Sequence, residues 1–418
     1  MTLLLLFAGA GESTPPPTPD PSAITRDTRV AGYEPHQLTL SVFEPVRGGT
    51  FSPRGVFEGN FQRAVSSWQF EINVNGGYGP ASFSFTTRKR QVQDWLENGL
   101  GRHVECYNPR QTLVWSGFIN KVRIAFGPLS AERGPLMDIG NRVSMIYTPL
   151  DTSVFPPVQG ITRFTTITEN AESQAKYGII ERVLNGGTIP DEDADQIQAT
   201  YLAENAFPET NNQSLALGGG TPYTVTIECL GYAEYLKAYV YNQTANALSV
   251  TITDKLQAIL AADPNGIFST NYTKIATNNY LVSSYEKDNR DAQTLIQALL
   301  ALGDINDTRY IFGIYEGQKA VYQAIPSSVY YQEQLSAPKQ AVMDLTGRYI
   351  YPWDVIPGQF LRYNDFQISR LTPNISRDDP RIMFVEGVVF TAPWGLSLSG
   401  GKTDQLPQKL AKWGLGGL

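Results

Sequence analysis

The alternation of apolar and polar positions divides this chain into two β-rich ends and a helical middle. Residues 38–43 and 68–74 follow the two-residue period of a strand. Asn75-Gly76-Gly77-Tyr78-Gly79 then gives a turn signal, and residues 81–85 resume the alternation, which predicts a hairpin. A short helix is expected over residues 92–97, ended by Asn98-Gly99. Strands follow at 103–107, 113–122 and 142–147. That spacing predicts a small barrel or sandwich.

The period changes after residue 165. A helix is expected over 171–184, closed by Asn185-Gly186-Gly187. A second opens at Pro190 with Asp191, Glu192 and Asp193 in its first turn, where acids suit the helix dipole. Its apolar face reads Ala194, Ile197 and Tyr201, and Pro208 stops it. A strand at 223–228 leads into a helix near 232–241. Two amphipathic helices follow, one through Ile252, Leu256, Ile259 and Leu260, the other through Leu295, Ile296, Leu299 and Leu300. The strand pattern returns at 310–315 and 319–324 around Glu316-Gly317, and again at 359–363, 365–371 and 381–390. The expected fold class is α+β, mainly β, with no fixed-period repeat. One β domain covers 30–155, a mixed α/β region 156–308, and a second barrel-like domain 309–400.

Both ends are atypical. Leu3, Leu4, Leu5, Leu6 and Phe7 precede Ala8-Gly9-Ala10 and imitate a secretion signal, but no basic segment comes before them. An apolar run this short cannot span a bilayer, which needs about 20 residues. Residues 1–29 are therefore expected to be an arm that docks on a partner, carried by the polyproline-like spacer from Ser13 to Pro21. Residues 401–418 form a second arm, Gly-rich and apolar, with Trp413 in it. Two such arms suit a chain locked into an assembly.

Composition agrees. Of 418 residues, 42% are hydrophobic and only 17% charged, against about 25% charged in a typical soluble domain. Such a surface suits burial against neighbours. The net charge of -7 argues against specific nucleic-acid binding, which needs clustered Lys and Arg. Arg88-Lys89-Arg90 is too short for such a surface and is read as a solvated strand end. Cys106 and Cys229, far apart in strand-like contexts, are read as free buried thiols.

Catalytic chemistry finds little footing. The only histidines are His36 and His103. His103-Val104-Glu105-Cys106 looks like part of a zinc element but lacks the downstream C-x-x-C, and in a strand His103 and Glu105 would share one face with Cys106 on the other. The acidic run from Asp191 to Asp195 lacks the Gly and terminal Glu of a calcium loop and is explained by a helix start. Gly76-Gly77-Tyr78-Gly79 has no Lys-Ser/Thr ending. No catalytic, cofactor-binding or metal-ligating residue is assigned, no cofactor is expected, and the chain is read as non-enzymatic. Trp68 and Trp95, in periodic segments, are expected in the core. Trp353 and Trp394 lie in Pro-flanked loops and join Leu3, Leu4, Leu5, Leu6, Phe7 and Trp413 as interface candidates, or serve as a platform for host glycan.

Two segments resemble the tail-hub proteins of tailed phages and related contractile machines. Leu100-Gly101-Arg102-His103-Val104-Glu105-Cys106-Tyr107, continuing through Leu113-Val114-Trp115-Ser116-Gly117-Phe118-Ile119, is similar to a strand pair of a small hub barrel that matches the tail-tube subunit. Asn170 to Gly178, with Ser173, Tyr177 and Gly178, resembles a Ser-x-x-x-Tyr-Gly element of the same family. There the Ser would cap a helix and the Gly allow close packing. Pro357-Gly358-Gln359-Phe360-Leu361 is similar to a strand entry in the second hub barrel. The resemblance covers about a third of the chain and includes no peptidoglycan-cutting domain. It implies two tube-like β-barrels in a homotrimer at the distal end of the tail in the virion, lining the DNA channel. The implied partners are the tail tube protein, the distal tail protein, the tape-measure protein and a tail fibre or spike. The alternatives are a six-fold distal ring that anchors fibres and a glycan-binding tail-tip module.

Overall fold

The structure, a computed structural model, describes residues 38–45, 65–87, 89–107, 112–126, 129–215, 223–242, 247–284, 290–325, 329–334, 341–344, 349–350, 357, 360–363, 382–391 and 395–401. Leu3, Leu4, Leu5, Leu6, Phe7, Trp353, Trp394 and Trp413, and the strand expected at 365–371, lie outside the described residues.

The fold is α+β and mainly β. Its first strands are β1 (Thr39–Phe43), β2 (Ser67–Asn73), β3 (Gly76–Thr86), β4 (His103–Tyr107), β5 (Leu113–Phe126), β6 (Leu129–Arg133) and β7 (Arg142–Asp151). The large sheet runs β1, β4, β5, then the strand Thr224–Leu230, then β3, β2, Ile382–Thr391 and Phe360–Tyr363. Thr224–Leu230, from the expected middle region, sits antiparallel between β5 and β3. Ile382–Thr391, from the expected second barrel, pairs with β2. Strands far apart in sequence thus share one sheet. Its pairing is an open, branched path that closes no barrel among the described residues.

Period-two alternation builds the core. Trp68, Phe83, Ile227 and Val122 face one another in turn across four adjacent strands, and all four are buried. Phe85, Val225 and Ile124 form the next rung. The helix Lys89–Asn98 lays Val92 and Trp95 on this face, with the Trp95 ring edge-on to Phe85 at 5.3 Å between centroids. Each large apolar side chain so buried contributes roughly 1.5–3 kcal/mol. Trp68 and Trp95 are core residues, as their periodic segments imply. The helices Ile252–Ala261 and Ala292–Leu302 follow their amphipathic pattern, burying Leu256, Ile259, Leu295 and Ile296. Thr251 and Asp291 cap them by accepting from the N–H of Asp254 and Thr294.

Four expectations are corrected. The helix expected over 171–184 is the shorter Ala171–Tyr177, after which Glu181–Ile189 is a strand parallel to β7. Gly178 ends the helix at φ +82°, a backbone conformation L-residues rarely adopt. Lys89 and Arg90 open the helix Lys89–Asn98 and do not end a strand. The expected helix at 232–241 is a 3-10 segment, Tyr232–Lys237. On the helix Asp191–Asn205 the buried residues are Ala194 and Gln198, while Ile197 is exposed. No helix among the described residues is long and apolar enough to cross a membrane.

Candidate assembly surface

A small second sheet is organised around β7. Glu181–Ile189 pairs with it in parallel on one side, and Val158–Gln159, Arg163–Phe164 and Thr168–Glu169 pair antiparallel on the other. The chain therefore runs out along β7, turns through residues 152–157 and returns in short pieces.

One face of this sheet is covered. The helix Asp191–Asn205 places Ala194 against Met145 and Tyr147, all buried. Gln198, almost wholly buried, spans the sheet: its Nε2 shares two N–H donors among three acceptors, Val143 O at 2.6 Å, Thr166 O at 2.8 Å and Thr168 Oγ1 at 2.9 Å. Asp191 has its carboxylate occupied by the Arg163 guanidinium and by Tyr147 Oη, which donates at 2.8 Å. These hydrogen bonds, Arg163 first, hold Asp191 below the usual carboxylate range. Arg163 also lies over the Tyr147 ring, 5.6 Å from its centroid.

The root is pinned by polar groups. Asn141 is fully buried; its Nδ2 donates to Gly178 O at 2.7 Å and to Ser173 Oγ at 3.2 Å, and its Oδ1 accepts from Ile180 N at 2.8 Å. Ser173 Oγ donates to Ala206 O. Ser173 is therefore not the helix cap expected of it. Asn170 caps, accepting from Ser173 N at 3.0 Å, and the Ser173 hydroxyl instead ties this helix to the end of the next. Arg142 stands between Glu169 at 3.1 Å and Glu181 at 3.0 Å, its partners across the ladder on either side. Burial lifts the Glu181 carboxyl above its usual range, against the pull of the Val240 N–H and Arg142.

The other face and the tip are open. Paired residues share a face, so Phe164 and Ile146 lie together, and Val183, across from Ser144, joins them. Ile146 and Val183 are partly buried. Toward the tip, Phe155 is 95% exposed and Ile161 88%, with Val154, Val158 and Ile167 about half exposed. Six of the ten exposed large hydrophobic residues among the described residues fall between Val154 and Ile167. The only charges from Pro149 to Ile167 are Asp151 and the already paired Arg163. Scattered exposed apolar residues are ordinary, but such a concentration marks an interaction surface.

Sequence periodicity does not find this arm. Its return strands are two residues long, and Pro149, Pro156 and Pro157 interrupt any alternation. The available signal was an apolar run almost without charge.

The His103 and Glu105 pair is also in place. Both side chains lie on one face of β4, with His103 Nε2 3.3 Å from Glu105 Oε1 and His103 Nδ1 2.8 Å from Tyr232 Oη. Tyr107 Oη donates to Glu105 Oε2 at 2.6 Å. The His103 side chain is 1% exposed. The group ties β4 to the Tyr232–Lys237 segment.

No protein-family model and no curated protein matches the chain. Solved structures similar to it include the following three. The 43 kDa tail protein of prophage MuSo2 from Shewanella oneidensis is 7% identical with a TM-score of 0.41, over 88% of this chain and 99% of that one. The tail protein from Neisseria meningitidis MC58 is 8% identical with a TM-score of 0.39, over 89% and 99%. The Francisella PdpA-VgrG complex, half-lidded, is 8% identical with a TM-score of 0.30, over 86% of this chain and 54% of that one. At these scores no residue is equated between chains, and the role of each residue rests on the geometry of this chain alone.

Proposed function

We propose that this chain is a non-enzymatic structural subunit of a bacteriophage tail, acting as a hub that joins the tail tube to the distal tip. The observation that carries this reading is the apolar arm around β7, whose tip residues Phe155 and Ile161 are almost fully exposed in the isolated chain. A subunit that meets neighbours on several sides keeps such a surface until it assembles. The segments that resemble hub proteins supply the frame behind the arm. β4 and β5 are adjacent antiparallel strands. Gly117 in β5 lies where a Cβ would sit 2.2 Å from Leu230 O and 2.6 Å from the Trp115 ring, so this strand crossing admits no side chain. Gly178 turns the chain from the helix into the edge strand of the arm.

In this reading three copies surround the tail axis, contacting the tail tube protein, the distal tail protein, the tape-measure protein and a fibre or spike. The net charge of -7 suits a channel from which DNA must slide freely. Imaging of native particles with the chain located by a tag tests it. Three copies at the distal end of the tube are expected. Six copies would move the chain to a ring that anchors fibres, and absence from the tail would overturn the proposal.

A further inference from the structure

Four Asn-Gly pairs occur in the chain: Asn75-Gly76, Asn98-Gly99, Asn185-Gly186 and Asn265-Gly266. Such a pair carries its own chemistry, because glycine puts no side chain between its nitrogen and the amide carbon of the asparagine before it. Whether the pair reacts is decided by what holds the two groups. At Asn98 both are held: Gly99 N–H donates to Trp95 O at 2.9 Å, and Asn98 Nδ2 donates to Asp94 Oδ1 at 2.9 Å. At Asn265, Gly266 N–H donates to Asp263 O at 3.2 Å, and the side-chain amide is tied at both ends to Ile179. Gly76 stands in register with Gly313 of the strand Tyr310–Tyr315, which fixes its backbone.

Asn185-Gly186 differs from these three. Asn185 is exposed. It pairs with Ile146 of β7, and the next pair is Gly187 with Tyr147, so Gly186 is the extra residue of a bulge and faces no residue of the ladder. The side-chain amide is polarised: Gly187 N–H donates to Asn185 Oδ1 at 3.1 Å. That bond draws electrons from the carbonyl and makes Cγ the better electrophile. Gly187 follows the bulge at φ +65°, a conformation that glycine adopts without strain.

We propose that Asn185 is a site of spontaneous deamidation in the unassembled chain. The Gly186 nitrogen forms a bond to Asn185 Cγ, the bond from Cγ to Nδ2 breaks, and ammonia leaves with the Gly186 proton. Water then opens the cyclic imide at either carbonyl and leaves aspartate or isoaspartate at this position. The product carries a negative charge where the amide had none. From Val183 to Ile189 the strand has no charge, and from Arg142 to Glu209 the chain already holds four Lys or Arg against ten Asp or Glu. The new carboxylate therefore lands among like charges, on the open face of the arm beside its ladder partner Ile146. The site stands on its own geometry. Its effect on assembly rests on the reading above, and it gives the arm a limited lifetime before a neighbour covers it.

The full-length protein, held in mildly alkaline buffer, digested and read by tandem mass spectrometry, gives the conversion of all four asparagines at once. Asn185 is expected to convert first in the native protein. In guanidinium, where no fold holds the other three, all four are expected to convert at similar rates. Asn185→Gln, whose longer side chain would have to close a larger ring, is expected to stay intact. Any of the other three converting as fast as Asn185 in the native protein, or Asn185 converting only in guanidinium, would overturn the inference and leave the assembly reading standing. Sedimentation equilibrium of Asn185→Asp reads the consequence, with the midpoint concentration for self-association expected to rise severalfold above the parent. An unchanged midpoint would overturn the effect on the arm. A parent that stays monomeric at every concentration would overturn the assembly reading and leave the site in place.

Discussion

Replacing Phe155 and Ile161 together by Ser separates the surface role of the arm from any role in folding. Phe155 is 95% exposed and Ile161 88% exposed, so the isolated chain gains almost nothing from burying them. Their loss should leave the unfolding midpoint of the monomer in place, as for other surface substitutions within about 0.5 kcal/mol. Assembly is where the cost appears. Full burial of a Phe or Ile side chain contributes roughly 1.5–3 kcal/mol, so the pair contributes about 3–6 kcal/mol to each contact that covers them. At about 1.4 kcal/mol per decade, that weakens association roughly 100- to 20,000-fold. Sedimentation equilibrium over a concentration series reads the association, and differential scanning calorimetry at a concentration where both proteins are monomeric reads the fold. A variant that assembles like the parent would refute the claim that this surface is an interface. A Tm lower by several degrees would show that the arm packs against its own chain.

Three further predictions concern buried groups. Asn141→Ala should destabilise the fold by about 2–5 kcal/mol, because it strands the Ile180 N–H and removes a donor from Gly178 O in a sealed site; urea unfolding would show the drop in midpoint. Gly117→Ala should cost about 1–3 kcal/mol or more, since its Cβ would lie 2.2 Å from backbone Leu230 O, and an unchanged urea midpoint would mean that the β5 crossing has room to relax. Burial pushes the Cys106 and Cys229 thiols upward, so Ellman's reagent at pH 8 should find neither in the native protein and both in guanidinium.

The strands with clean alternation were legible in the sequence because one of their faces is buried and the other is not. β2, with Trp68, Phe70 and Ile72 inward, is the clearest example. The two amphipathic helices were legible for the same reason. Order within the sheet was not. Nothing local to Thr224–Leu230 says that it slots between β5 and β3, or that Ile382–Thr391 joins β2; those pairings are set by long-range packing. The assignment of 171–184 to one helix failed because helix and parallel strand share an apolar look, and the arbiter was Gly178. His103 and Glu105 were placed correctly on one face of β4, but that face is buried as well, so alternation understated how enclosed they are.

Gly178 is the position at which frame and arm can be distinguished by experiment. Its φ of +82° with ψ of 177° belongs to a region that is essentially reserved for glycine, where another residue costs on the order of 1–3 kcal/mol. A Cβ there would also lie 2.9 Å from Asn265 Oδ1, which already accepts from Ile179 N at 2.7 Å while Asn265 Nδ2 donates to Ile179 O at 2.8 Å. Gly178→Ala must therefore bend the backbone or release Asn265, and either change moves Ile180 off Asn141. The strain enters at the start of Glu181–Ile189, which is an edge strand held to the rest of its sheet by β7 alone. β2 and β3 lie in the middle of the large sheet, and their strand partners among the described residues do not include it. Native-state hydrogen exchange should then quicken in Glu181–Ile189 and β7 while β2 and β3 keep their protection, as expected of a subglobal opening. Equal loss of protection in all four strands would mean that arm and frame unfold as one unit, and the arm could not then be treated as a separate device for assembly.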